Sequence, residues 1–322
     1  MDETSTEAER AAAGAIRQAG LDMVTDLDQK IENHDRTHRD FKERLWQWWS
    51  TPLALYFTAW RELSEIGGML KMDSEADPDL REVLAGLHAK GTRVALEVFH
   101  LLRDGLPKAA AARARTLFEL AVHSELIQAD PRLAPRFLAY SEHQRHLDAT
   151  GYMDSGIYEN DFTPEEMASF KQRADEAEAR HPGISKLNGW ANLDGKGSTF
   201  HHLVQRTSLW GQYPHYVWFS HEVHGNARGG VLNTFPGPDG HVYFSGYTNK
   251  GLADPGQAAI LCYLRITSDL LEGCGDDSAP WARYVAATAI CNRANERFAD
   301  VEQELSTEGL NLELSDIWKR PI

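Results

Sequence analysis

Apolar residues at helical spacing are the feature that most constrains the fold of this chain. From Asp79 to Arg103, apolar side chains return every three or four residues, which places them on one face of a helix. Similar segments recur along the chain, and residues such as Gly105 and Pro107 separate them. The pattern predicts an all-α protein, a multi-helix bundle of about seven to nine helices.

One stretch departs from this pattern. Residues 225–251 contain seven glycines and two prolines, which are unfavourable in helix interiors. Within the stretch, Val231–Phe235 and His241–Tyr247 flank a Pro-Gly-Pro-Asp-Gly turn. Two short apolar runs around such a turn predict a small β-hairpin insertion near residues 231–247.

The organisation along the chain predicts one main domain preceded by an arm. Residues 1–36 are rich in Ala, Glu, Asp and Arg and carry only a narrow apolar stripe, so we expect an acidic N-terminal helical arm. Residues 37–322 hold the strongly periodic segments and predict a single α-helical domain. Pro52 falls inside the first of these segments and should start, break or kink its apolar part.

Composition narrows the environment and the partners. No apolar run is long enough to span a membrane, and the N-terminus lacks the pattern of a secretory signal. The cysteines Cys262, Cys274 and Cys291 are too far apart for a zinc site or a disulfide framework, so we expect free thiols and a cytoplasmic protein. The net charge of −15 disfavours nucleic acid without excluding a local basic patch. RNA, another protein or a second copy remain the partners considered.

The first polar constellation lies in the segment from Lys108 to Ala129. Arg115, Glu119 and His123 are four residues apart, so a helix places them on one face in successive turns. Their neighbours are apolar, which indicates partial burial and therefore a need for partners. The alternative is a solvated ion pair beside a histidine with a structural hydrogen bond.

The second constellation is Ser220-His221-Glu222-Val223-His224. Two imidazoles, a carboxylate and a hydroxyl suit acid–base chemistry or metal binding. On a helix, Ser220 and His224 share a face. The alternative is a capped helix end with a structural histidine.

A metal site is one interpretation of both constellations. Glu119, His123, His221 and His224 would make a four-ligand set for a divalent metal such as Fe, Mn or Zn. The repeated Glu-x-x-His pattern of di-iron bundles and the His-Glu-x-x-His motif are both absent. Phosphate-binding loops, the dinucleotide fingerprint and the Gly-x-Ser-x-Gly elbow are absent too, so the alternative to a metal is a site with no cofactor.

The two constellations occur together in a known family. Arg115-Thr-Leu-Phe-Glu119, followed by Arg136-Phe137, resembles the Arg-x-Leu-x-Glu helix of the bacterial family called domain of unknown function 5677. Gly189-Trp190 and the segment from Tyr216 through Ser220 to His224 resemble its second hallmark. The resemblance covers about residues 80–275 and implies an all-helical core whose biochemical role is not established.

The motifs are also similar in style to the HEPN group of helical bundles, which includes RNases of toxin and phage-defence systems. That group uses Arg-x(4–6)-His to contact the scissile phosphate, often across a dimer interface. The three positions open to this arginine before His224 hold Val217, Trp218 and Phe219. Arg115 would have to replace it from another helix.

Three functions follow as expectations, and the sequence does not choose among them. The first is a HEPN-like, RNA-cleaving or defence-associated protein whose candidate catalytic residues are Arg115, Glu119, Ser220 and His224, with His224 as general acid or base. The second is a non-catalytic helical scaffold or partner-binding protein in which the cluster fixes helix register. The third is a metal-dependent enzyme that uses the four ligands given above.

Overall fold

The computed structural model describes residues 7–70, 77–156, 161–224, 234–237, 240–243, 246–274 and 278–307. Ten α-helices lie in this part of the chain, so the predicted all-α class is confirmed while the predicted count of seven to nine is too low. The helices are α1 Glu7–Val24, α2 Leu27–Met69, α3 Pro78–Arg103, α4 Pro107–Ala129, α5 Leu133–Asp154, α6 Pro164–Arg180, α7 Phe200–Val204, α8 Tyr213–Ser220, α9 Ala253–Cys274 and α10 Ser278–Thr307.

The chain divides into two compact units, the first ending at Trp48 and the second beginning at Trp49. The predicted arm of residues 1–36 falls within the first unit. Helix α2 is 43 residues long and continues through Pro52, so the expected break does not occur there. Proline removes one backbone donor, but the fully buried Trp49, Leu53 and Tyr56 around it supply packing that holds the helix together.

The core of the second unit is built where α3, α4 and α9 pack on one another, with α10 against α9. The second half of α2 is joined to α3 by side chains that reach backbone carbonyls. The Tyr56 hydroxyl donates to the Ala95 carbonyl at 2.8 Å, and Trp60 Nε1 donates to the Thr92 carbonyl at 2.9 Å. These bonds let large aromatic side chains enter the core without leaving polar atoms unsatisfied.

Helix α6 begins as its sequence predicts. Thr163 is the N-cap, Pro164 occupies the first turn, and Thr163 and Glu166 form a reciprocal capping box. Two 3-10 turns, Gly189–Ala191 and Ser208–Gln212, lie between α6 and α8. The second turn separates α7 from α8.

Two short strands lie within the segment where the sequence predicts an insertion. β1, Thr234–Gly237, pairs antiparallel with β2, Gly240–Tyr243, and Thr234 stands opposite Tyr243. Each strand has only four residues, so the class of the fold rests on the helices. Within the predicted hairpin, residues 231–233, 238, 239, 244 and 245 lie outside the described residues.

Two predictions about the environment can be compared with the structure. The three cysteines, Cys262, Cys274 and Cys291, are buried and free of disulfides, as predicted. In the described part of the chain, no helix combines the length and the apolar character needed to cross a membrane.

Candidate functional site

A polar network joins α4 to α8. Arg115 and Glu119 are one turn apart on α4, and Tyr216 and Ser220 are one turn apart on α8, so both pairs use the four-residue spacing of a helix face. Pro214 lies in the first turn of α8, where its fixed backbone angle favours the start of a helix. The two helix faces thus bring together side chains about a hundred residues apart in the chain.

The network closes on itself. Arg115 Nε donates to Ser220 Oγ at 3.0 Å, and Arg115 Nη2 donates to the Tyr216 hydroxyl at 2.8 Å. The Tyr216 hydroxyl donates in turn to Glu119 Oε1 at 3.0 Å, and that oxygen pairs with Arg115 Nη2 at 2.9 Å. Ser220 completes the set by donating to the Tyr216 carbonyl at 2.8 Å. Each charged group therefore meets both a neutral partner and its counter-ion.

Tyr216 is the centre of the network and lies among aromatic rings. Its ring contacts those of Phe118, Phe200 and Tyr213, and the Arg115 guanidinium carbon lies 4.8 Å from its centroid. Burial, and then the nearby Glu119 carboxylate, raise the pKa of Tyr216 to about 12. The hydroxyl therefore stays protonated at neutral pH and can donate to Glu119 while it accepts from Arg115.

The segment after α8 is tied to α4 by a second bond. Lys108 Nζ pairs with Glu222 Oε1 at 2.8 Å, and only 8% of the Glu222 side chain is exposed. Beyond it, His224 is exposed and contributes its backbone N–H to the Ser220 carbonyl at 3.2 Å. The structure thus brings together Arg115, Glu119 and Ser220, three of the four predicted catalytic residues, and leaves the His224 imidazole outside their network.

The predicted metal ligands do not assemble. His123 lies edge-to-face against the rings of Trp190, Phe137 and Phe200, and burial lowers its pKa to about 4. His221 contacts Trp218 instead, at 6.5 Å between ring centroids. Among the described residues, which include all four predicted ligands, no group of three or more His, Cys, Asp or Glu side chains is arranged to hold a metal ion. The prediction of a four-ligand metal site is therefore corrected, because the four side chains lie in different environments.

Tyr216 is the member of the network that the sequence prediction missed. The sequence does carry a signal for Tyr216, because this residue stands four residues before Ser220 and is the first residue of the second motif. A tyrosine in the aromatic run from Tyr213 to Phe219 looks like a core residue, and only its hydroxyl distinguishes it from phenylalanine.

A second buried arginine holds the loop that contains Trp190. Arg136 on α5 is 5% exposed, and its guanidinium donates to the carbonyls of Gly189, Trp190 and Pro182 at 2.8, 3.2 and 3.3 Å. The neighbouring Phe137 ring meets the Trp190 ring edge-to-face at 4.9 Å. The segments on which the family resemblance rests therefore bind each other in space.

A further buried group, also missed from the sequence, lies between α4 and α9. Asp269 is fully buried, and its carboxylate pairs with Arg265 at 2.6 Å, one helical turn away. Glu125 lies on the other side of Arg265 at 3.6 Å and accepts bonds from the backbone and hydroxyl of Ser208. Burial raises the pKa of Asp269 to about 7, although Arg265 opposes the shift. The four-residue spacing of Arg265 and Asp269 within an apolar helix was its sequence signal.

The fold and the network define an all-α protein with a buried polar connection between two helices. Residues 81–235, just under half of the chain, match the model of a family of unknown function, DUF5677. The matched residues include the whole network and both sides of the Arg136 contacts. Neither the curated proteins nor the solved structures gave a match. No comparison supports the likeness to HEPN proteins, which stays a prediction.

Proposed function

We propose that this chain is a non-catalytic helical scaffold in which the Arg115–Glu119–Tyr216–Ser220 network fixes α8 on α4. The observation that carries the proposal is the direction of the Arg115 donors. Nε is engaged by Ser220, and Nη2 is engaged by Tyr216 and Glu119. Hydrogen bonds of this kind specify one arrangement of two helices because every member has its partner.

The same geometry argues against RNA cleavage at this cluster. Arg115 could offer its Nε and Nη2 donors to a scissile phosphate only by exchanging charge-assisted bonds within the chain for new ones to the ligand. A general base must also lie within hydrogen-bond reach of the proton it removes. The His224 side chain is exposed and stands outside the network, so the predicted general base is not placed beside Arg115 and Glu119.

The scaffold would present the exposed side of α8 to a protein partner. Val217 and Trp218 are each 40% exposed, whereas Tyr216 before them and Phe219 after them are buried. Exposed tryptophan is enriched where proteins bind one another. A protein is favoured over RNA because the chain carries a net charge of −15, which opposes phosphate binding.

The test measures RNA cleavage with one variant and thermal stability with another. Wild type and His224→Ala are incubated with total RNA, and the melting temperatures of wild type and Glu119→Gln are measured in parallel. We expect no RNA cleavage by wild type or by His224→Ala, and a lower melting temperature for Glu119→Gln. Cleavage by wild type that His224→Ala abolishes would overturn the scaffold and establish the nuclease.

A further inference from the structure

A cavity of about 350 Å³ lies between α2, α3 and α9, away from the Arg115 network. It falls within the usual size range of small-molecule sites, at the lower end. The lining residues that matter for its chemistry are Gly67, Leu70, Ala85, His88, Leu270 and Cys274.

Small residues keep this space open and admit an imidazole to its wall. A methyl group on Gly67 would lie 2.9 Å from Nδ1 and Cε1 of His88, closer than such contacts normally come. Ala85, on the same helix as His88, also lines the cavity with minimal bulk. A larger residue at either position would fill the space with apolar atoms, which is the usual arrangement in a protein core.

His88 is the unusual member of the lining. It is 3% exposed, and burial lowers its pKa to about 4, so its ring is neutral at neutral pH. A backbone hydrogen bond to Leu63 involves the ring, while Nε2 is enclosed and has no hydrogen-bond partner in the described part of the chain. The bond to the Leu63 carbonyl therefore uses the Nδ1 proton, which leaves Nε2 as an unused acceptor. A buried acceptor without a partner calls for an explanation.

The other polar groups around the cavity are already engaged. The Thr92 hydroxyl donates to the His88 carbonyl at 2.9 Å and meets the Tyr263 hydroxyl at 2.7 Å. Ser64 donates to the Arg61 carbonyl at 2.8 Å. Arg81, which also lines the cavity, has interactions of its own. His88 Nε2 is thus the acceptor that a molecule in this cavity would satisfy.

We propose that this cavity binds a small, uncharged, mainly apolar molecule with one hydroxyl or N–H group, which donates a hydrogen bond to His88 Nε2. Binding would turn the ring so that Nε2, which is enclosed in this structure, faces the cavity that His88 lines. The walls at Leu70, Leu270 and Cys274 supply the apolar contacts. The site adds ligand binding to the proposed scaffold and does not depend on it.

The test uses two pairs of probes that differ in one hydrogen-bond donor. Indole is compared with benzothiophene, and benzyl alcohol with ethylbenzene, by calorimetric titration of the full chain. We expect saturable binding of one molecule per chain. In at least one pair, the compound with the hydrogen-bond donor should bind about tenfold more tightly than the compound without it, which is the contribution of one net hydrogen bond. Nitrogen NMR of the imidazoles should show the His88 Nε2 signal shift with indole or benzyl alcohol.

Substitutions test the cavity and its acceptor, His88 Nε2, separately. His88→Phe should bind both members of a pair equally, whereas His100→Phe, the same change at an exposed position of α3, should keep the wild-type preference. Ala85→Leu should abolish binding of all probes by filling the space, and it serves if His88→Phe does not fold. The proposal is overturned if neither donor probe saturates, if wild type shows no donor preference, or if Ala85→Leu binds like wild type.

Discussion

Removing the Tyr216 hydroxyl is the sharpest perturbation of the network, because it leaves ring packing intact. Tyr216→Phe deletes one bond accepted from Arg115 at 2.8 Å and one donated to Glu119 at 3.0 Å. Hydrogen bonds to charged groups contribute about 1.5–3 kcal/mol each. Arg115 and Glu119 keep each other and are 18% and 29% exposed, so water recovers part of the loss. We therefore expect a total loss of about 2 kcal/mol in the free energy of unfolding.

The assay is urea denaturation followed by circular dichroism, with Tyr213→Phe as the matched control. The Tyr213 ring stacks on Tyr216 at 5.6 Å, but its hydroxyl makes no hydrogen bond in the described part of the chain. The control should stay within about 0.5 kcal/mol of wild type, as surface substitutions usually do. If Tyr216→Phe is as stable as Tyr213→Phe, the network does not hold α8 on α4 and the scaffold proposal loses its support.

Three further changes probe the other buried features. Arg136→Met removes the donors to three carbonyls and should lower the free energy of unfolding by about 3 kcal/mol, with faster proteolysis in the loop of residues 181–197 as the readout. Gly189→Ala should lower it by about 1–3 kcal/mol in urea denaturation, because the new Cβ collides with the Gly183 carbonyl, whereas Gly151→Ala in helix α5 meets nothing within 4 Å and should not lower it. The raised pKa of Asp269, about 7 instead of 3.8, means that protonation favours the folded state: stability from this group is full below pH 4 and is lost as pH rises to about 7. The difference in unfolding free energy between wild type and Asp269→Asn should then change by up to about 4 kcal/mol across that range, and a difference independent of pH would refute the shift.

The fold was largely predictable because each long helix carries its own apolar period. The connection within α4 was predictable for the same reason, since Arg115 and Glu119 are four residues apart and their pairing follows from helix geometry. The capping box at Thr163 likewise depends on neighbouring residues alone. Predictions that use only local spacing were confirmed at these positions.

Predictions that joined distant segments were less successful, and the end of α8 shows why. A helix from 213 to 225 would place Ser220 and His224 on one face, but α8 ends at Ser220 and a turn follows. The imidazole then leaves the face that Ser220 shares with Tyr216. His88 had no local signal at all, because its cavity exists only where three helices meet.

The paired motifs can be explained by architecture without a reaction. Arg115 and Ser220 are 105 residues apart, and Arg136 and Trp190 are 54 apart, yet each pair is joined by a direct hydrogen bond. An arginine in one segment and its acceptor in another must be retained together, since losing one leaves a buried polar group unpaired. Two such bonds within residues 81–235 would account for the Arg, Glu, Trp, Tyr and Ser residues of the two motifs through folding alone. This explanation does not account for the motif residue His224, because its side chain is exposed and lies outside the network. Any function that reaches beyond architecture is therefore most directly tested at His224.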